Sequence, residues 1–292
     1  MTGVPSNLLR DDAVRLPGGL RLAVRRADGP GRPFLLVHGL ASNARVWDGV
    51  ARRLAGAGHE VVAVDLRGHG RSDDGPDGHT TDLAAGDLAV LCAALGLAGD
   101  RAPVAAGQSW GGNVVVTLAA RHGGVGGVAL VDGGWIALAE RFVTFDDCWS
   151  ALAPPGFDGM TLDELTGRLR GWHPDWPDEG IEGTLGNFVV RSDGTVTNRL
   201  AREHHRDILR SLWADDVRSL YPDVTVPAMV AAAVPEDRDG PDRVGPQLAV
   251  DRLPDATGSW YVGADHDLHA QQPGRLAEDL LSLAARVEAG RR

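Results

Sequence analysis

Short apolar runs separated by turn-forming residues recur through the first half of the chain. Residues 33–37 (PFLLV), 60–65 (EVVAVD), 102–106 and 125–131 (VGGVALV) are nearly continuous apolar stretches. That pattern belongs to strands buried on both faces of a parallel sheet, since a half-buried strand would alternate apolar and polar positions. An earlier strand is expected at 20–25, after the Pro17-Gly18-Gly19 turn, and the residues up to about Asp12 read as a loosely held tail. Between the runs the period becomes helical. Residues 46–55 place Trp47, Val50 and Leu54 on one face, residues 81–95 follow a cap offered by Thr80 or Thr81, and another helix spans 110–121.

The alternation stops after Asp132. From Gly133 to about Tyr221 there is no buried-strand pattern, but there are helical pieces, Pro-rich turns and Trp135, Trp149, Trp172, Trp176 and Trp213. Strand patterns return at 226–234 and 258–262, and a helix from Gly274 to about Glu288 closes the chain. Alternating strands and helices imply a mostly parallel sheet covered by helices, with the strand C-terminal ends gathered on one edge, where such folds bind ligands. The expected organisation is one α/β domain built from 13–132 and 223–292, interrupted after the sixth strand by a helical cap over 133–222.

Composition narrows the class. Hydrophobic residues make up 43% and charged residues 24%, enough apolar surface to bury a core. A net charge of -11 leaves no surplus of cations to displace phosphate counterions, so nucleic acid is not an expected partner. All 29 basic residues are Arg, which together with the Ala, Gly and Asp content reflects a GC-rich coding background. No apolar run approaches the roughly 20 residues needed to cross a bilayer, and the first ten residues lack the form of a secretory signal, so no membrane is expected and the protein is expected to be cytoplasmic. Cys92 and Cys148 lack the spacing of a zinc knuckle or redox pair, and Cys92 reads as a buried thiol.

The chemistry concentrates at Gly107-Gln108-Ser109-Trp110-Gly111-Gly112, between a strand and a helix. A serine hydroxyl is a poor nucleophile unless it is held clear of its backbone beside a base. The G-x-S-x-G turn does this by reversing so tightly that its flanks tolerate only small residues. The helix that starts there aims N–H groups and its positive end at developing negative charge. Further along the chain stand His38-Gly39 after the first buried strand, Asp65-Leu66-Arg67-Gly68-His69-Gly70-Arg71-Ser72 after the next, and Gly263-Ala264-Asp265-His266 near the end.

In order and spacing these segments resemble the α/β-hydrolase superfamily, in its serine-nucleophile branch with a helical cap, from about Leu20 to Ala285 and most weakly across the insertion. The resemblance implies that Ser109 attacks an acyl carbonyl, that His266 accepts and later donates its proton, and that the backbone N–H groups of Leu40 and Trp110 hold the oxyanion. It requires no metal and no cofactor. His38 and His69 are expected to organise their loops, and His204-His205 to sit on an exposed cap helix. His269 is expected to bind no metal.

The third member is open. Asp132 ends a strand and is followed by Gly133-Gly134. The family more often places its acid after the next strand, where Glu236 falls at the usual position and Asp237 one step beyond. Asp132 is preferred, Glu236 is the alternative and Asp237 comes third. A serine at the elbow excludes the epoxide hydrolases and haloalkane dehalogenases of this fold, which carry aspartate there. A small-molecule substrate with an apolar or aromatic acyl group is expected, because the inserted tryptophans could supply an apolar wall. The alternatives are C–C bond hydrolysis, thioester hydrolysis and a proline iminopeptidase-like peptidase, although His38-Gly39-Leu40-Ala41 lacks the doubled glycine and proline of the last. A non-catalytic ligand-binding protein of the same fold is the alternative from outside enzymology.

Overall fold

The computed structural model describes residues 8–157, 159–234 and 243–290. In chain order the strands are β1 (Arg10–Arg15), β2 (Arg21–Ala27), β3 (Gly31–Val37), β4 (His59–Val64), β5 (Val104–Gln108), β6 (Gly127–Val131), β7 (Phe188–Val190), β8 (Val196–Asn198), β9 (Ala228–Val234) and β10 (Ala256–Val262). Eight of them form one sheet in the order β1-β2-β4-β3-β5-β6-β9-β10. From β4 to β10 all neighbours are parallel, and β1 and β2 add antiparallel pairs at one edge.

Successive side chains of a strand point to opposite faces, and both faces are covered. Phe34 and Leu36 of β3 pack with Val61, Val104 and Ala129 against α1 (Asp48–Gly56) and α10 (Pro273–Ala289). Leu35 and Val37 face the other way with Val62, Ala105 and Leu130, against α2 (Thr81–Ala94) and α3 (Trp110–Thr117). This two-sided burial is the reason the strands read as unbroken apolar runs. Thr80 caps α2, its hydroxyl accepting from the Leu83 N–H. Cys92 is buried in the second cluster, where burial pushes its thiol up to about 12.

Between β6 and β9 the chain leaves the sheet. It forms α4 (Phe145–Leu152), α5 (Leu162–Trp172), α6 (Asp178–Leu185) and α7 (Arg202–Ala214), with β7 and β8 paired as a short antiparallel ribbon. Leu165, Leu169, Trp176, Ile181 and Val196 make a small core of their own. Ile208, Leu209 and Leu212 of α7 join the larger core over α2 and α3 instead. Beyond β9 the chain adds α8 (Val244–Arg252) and, after β10, the single turn α9 (Leu268–Gln271).

Two elements depart from the sequence expectation. The expected N-terminal tail is in part strand β1, whose residues are mostly exposed and charged, so no hydrophobic pattern marks it. Ion pairs hold it: Arg25 of β2 with Asp11, Arg26 with Asp12, and Arg10 with Asp28. The ribbon β7–β8 also went unseen, because three-residue strands are too short to show a period. Among the described residues no helix is long and apolar enough to cross a membrane.

Leu36 is fully buried at the sheet centre, whereas Val143 is 90% exposed. Leu36→Ala is therefore expected to cost about 2–5 kcal/mol in chemical denaturation, and Val143→Ala at most about 0.5 kcal/mol.

Candidate active site

Ser109 joins β5 to α3 with φ +52 and ψ -121, outside the regions an L-residue prefers. Its surroundings hold it there. The Ser109 N–H donates to the Val131 carbonyl at 2.9 Å, and its own carbonyl accepts from Gly112 N at 2.9 Å. The flanking glycines are required by contact. A Cβ on Gly107 would lie 2.0 Å from the Gly111 carbonyl oxygen, one on Gly111 2.5 Å from the carbonyls of Val37 and His38, and one on Gly133 2.1 Å from the Ser109 carbonyl. The elbow is thus wedged between the ends of β3 and β6.

Two buried histidines shape the neighbouring loop. His38 Nε2 accepts from Leu66 N at 3.0 Å while Nδ1 donates to the Gly39 carbonyl at 2.7 Å. His69 Nε2 accepts from Ala41 N at 3.2 Å, and its Nδ1 donates to the Arg67 carbonyl at 2.9 Å. Burial lowers the pKa of both, so both stay neutral. Asp65 ties the same loops, accepting from Ala44 N at 2.7 Å and Arg71 N at 2.8 Å. With Ala41 N–H taken by His69 and Ser42 N–H by the Gly39 carbonyl, Leu40 lies beside Ser109 in the same pocket. Trp110 begins α3, where the first N–H has no carbonyl one turn earlier to bond.

His266 lies in the turn after β10, more than half exposed. Its Nδ1 is 2.5 Å from Asp132 Oδ2, and Gln108 Nε2 donates to its carbonyl at 3.2 Å. Asp132, at φ +42, follows β6; its other carboxylate oxygen accepts from Ala233 N at 3.0 Å. Asn113 of α3 steadies the chain beyond it, accepting from Gly134 N at 3.1 Å and Ile136 N at 3.3 Å. Partial desolvation by the surrounding protein opposes the charged form of His266, but the hydrogen bond to Asp132 and the nearby Asp267 carboxylate outweigh it, and the net pKa is raised. The structure therefore brings Asp132 to His266, with Ser109 and His266 lining one pocket of about 140 Å³. Glu236 and Asp237 lie outside the described residues.

Several contributors carry no sequence signal. Thr184 and Asn187, from the inserted segment, line the Ser109 pocket, as does Asp267, whose carboxyl is pushed up by burial. Asp265 fastens the histidine turn to that segment, accepting from Trp176 Nε1 at 2.8 Å with His173 Nδ1 at 3.0 Å. Such contacts join residues far apart in the chain and have no periodicity.

The inserted tryptophans are dispersed. Trp176 is in the small core, Trp172 is exposed, and Trp149 packs under Arg202 and Arg206. Trp213 donates to the Phe142 carbonyl at 2.9 Å, and Trp135 lines a larger cavity of about 1030 Å³ together with Asp132 and His266, the latter shared with the Ser109 pocket. The expectation of an exposed His204-His205 pair is also corrected. His205 is buried and its Nε2 meets the Leu152 carbonyl at 3.1 Å, because it falls on the apolar face of α7. His269 is buried against Trp47.

If Asp132 raises the His266 pKa, an NMR titration should place it above 6.5, and Asp132→Asn should bring it down. A value at or below 6.5 in the unchanged protein would contradict the geometry.

A family model for the alpha/beta hydrolase fold matches residues 32–178. A non-heme chloroperoxidase of Burkholderia pyrrocinia is 35% identical over 266 residues, covering 86% of this chain and 91% of the relative. A non-heme haloperoxidase of Rhodococcus erythropolis is 29% identical over 265 residues, covering 87% and 92%. Among solved structures, E-2-(acetamidomethylene)succinate hydrolase superposes with a TM-score of 0.78 over 95% of this chain and 99% of the other. At 23% identity that likeness speaks for the fold alone. The chain belongs to the alpha/beta hydrolase fold family.

Proposed function

We propose that the chain is a serine hydrolase that cleaves an ester, lactone or related small acyl substrate through an acyl-enzyme. The observation that carries this reading is the 2.5 Å contact between His266 Nδ1 and Asp132, at the rim of a pocket that also holds Ser109 on its strained turn. Asp132 keeps a proton on Nδ1, which leaves the Nε2 lone pair free. Nε2 takes the Ser109 hydroxyl proton as Oγ bonds to the acyl carbon, and the carbonyl electrons move to oxygen. The N–H groups of Leu40 and Trp110 receive that oxyanion, a contribution of about 3–4 kcal/mol per donor. His266 then protonates the leaving oxygen, and water repeats the sequence to release the acid. Glu236 stays the alternative to Asp132.

The segment 133–222 acts in this reading as a cap, since Thr184 and Asn187 reach the pocket. The space directly beside Ser109 is about 140 Å³, and a second cavity of about 1030 Å³ on the other side of His266 leaves room for the rest of the substrate. Beside Ser109 the apolar wall comes from Leu40, Val46 and Ala270, and Trp135 of the inserted segment lines the larger cavity that shares His266.

A second reading follows from the relatives' names. Hydrogen peroxide in place of water as the nucleophile on acyl-Ser109 would release a peroxy acid. That product oxidises a halide ion to the hypohalous acid and returns to the carboxylic acid. Bromination that requires Ser109, peroxide and a carboxylic acid together would favour it.

Short p-nitrophenyl esters and simple lactones should be hydrolysed, with Ser109→Ala slower by about 10⁶-fold and Asp132→Asn by about 10⁴-fold in kcat. No turnover above the Ser109→Ala control on either class would refute the ester and lactone reading. Near-full turnover by Asp132→Asn would pass the acid role to Glu236. Because the base must be neutral and its pKa is raised, kcat/KM should climb with pH through an inflection above 6.5.

A further inference from the structure

Two histidines and an aspartate meet away from the Ser109 pocket. Asp74 and His79 belong to the loop between β4 and α2, and His204 to the first turn of α7. Among the described residues this is the one group of three His, Cys, Asp or Glu side chains whose donor atoms all lie within 4.8 Å of one another. The imidazoles stack with centroids 3.7 Å apart and planes 19° apart. His79 is only 2% exposed, yet neither of its ring nitrogens has a hydrogen-bond partner. Nδ1 of His204 is also buried without one, 3.4 Å from Asp74 Oδ1.

Imidazole nitrogens taken out of water without a partner lose hydration and gain nothing in return, so buried pairs of this kind call for an explanation. Gly68 lies against both rings. A Cβ at that position would lie 2.7 Å from Nε2 and 2.8 Å from Cδ2 of His79 and 3.3 Å from Nδ1 of His204, so a side chain there would press on the pair, and the φ of +74 also disfavours one.

We propose that Asp74, His79 and His204 bind one divalent transition-metal ion, with zinc the best match, that pins α7 to the loop after β4. Two neutral imidazole nitrogens and a carboxylate oxygen are ligands of the type zinc takes, with water completing the tetrahedron. Donors around one zinc ion sit roughly 3.3 Å apart and an imidazole lone pair lies in its ring plane, so binding requires the stacked rings to tilt toward a common point and the exposed Asp74 side chain to swing inward. The positive charge of Arg67 reaches His79. Arg67 is itself neutralised by a two-point contact with Asp87 at 2.7 Å.

The ion would be a strut and take no part in acyl transfer. Gly68 precedes His69, which holds the Ala41 N–H at 3.2 Å in the loop beside Ser109. Further along α7, Ser211 meets Thr81, and Thr81 accepts from the Trp110 indole at 3.0 Å. Fixing α7 to the β4–α2 loop therefore stiffens two supports of the elbow together.

The full-length protein, dialysed against micromolar zinc chloride, should retain about one zinc per chain by elemental mass spectrometry. His204→Ala should bind roughly tenfold or more weakly, Asp74→Asn should weaken binding less, and the exposed His122→Ala should not change it. Cobalt in place of zinc should give tetrahedral visible absorption that His204→Ala loses, and zinc should slow amide exchange in α7. Circular dichroism checks that each variant is folded. Absence of bound zinc overturns the proposal, as does full binding by His204→Ala, which would put the ion elsewhere.

Discussion

Ser109 occupies a backbone conformation that costs an L-residue on the order of 1–3 kcal/mol and persists only where the surroundings leave no alternative. Those surroundings are three strand ends. The register between β5 and β6 sets Gln108 opposite Val131, which puts the Ser109 N–H on the Val131 carbonyl. The end of β3 lies against Gly111, and Gly133 lies against the Ser109 carbonyl. A shift of one residue in any of these pairings would send side chains to the wrong face and drive a Cβ into the turn. The two-sided core that fixes the register is thus also what keeps the hydroxyl raised above the sheet.

Burial sorts the histidines around that turn. His38, His69 and His269 are almost wholly inside, their pKa values are lowered, and they serve as neutral packing or loop-holding groups. His266 is the exception, more than half exposed and paired with a carboxylate that favours its charged form. A proton acceptor that must become charged during a reaction can work only where that charge is supported. In the proposed mechanism Asp132 provides the support through a carboxylate tied at its second oxygen to the backbone of β9.

The sheet was legible in the sequence because parallel strands buried on both faces leave unbroken apolar runs, and the elbow because its glycines are compelled by contact. β1 was illegible because most of its residues are exposed and charged, and its ladder to β2, with ion pairs beside it, leaves little apolar pattern to read. The pairing of Asp132 with His266 depends on how far β6 and β10 extend toward each other, which the local pattern suggested for Asp132 but could not separate from Glu236. Thr184, Asn187 and Asp267 matter through contacts between distant segments, and residue type alone gave no hint of them; Asp265 stood in the motif before His266, but its tie to Trp176 left no trace in the sequence. Abundance within a segment does not say which way the rings face: of the five inserted tryptophans, Trp135 lines the cavity bounded by Asp132 and His266, while Trp176 packs in the small core.

The central claim is that Ser109 is an activated nucleophile, and a fluorophosphonate probe tests it most directly. Intact mass spectrometry after incubation should show a single covalent adduct on the unchanged protein and none on Ser109→Ala. An unmodified, demonstrably folded protein, or an adduct that persists in Ser109→Ala, would contradict the account.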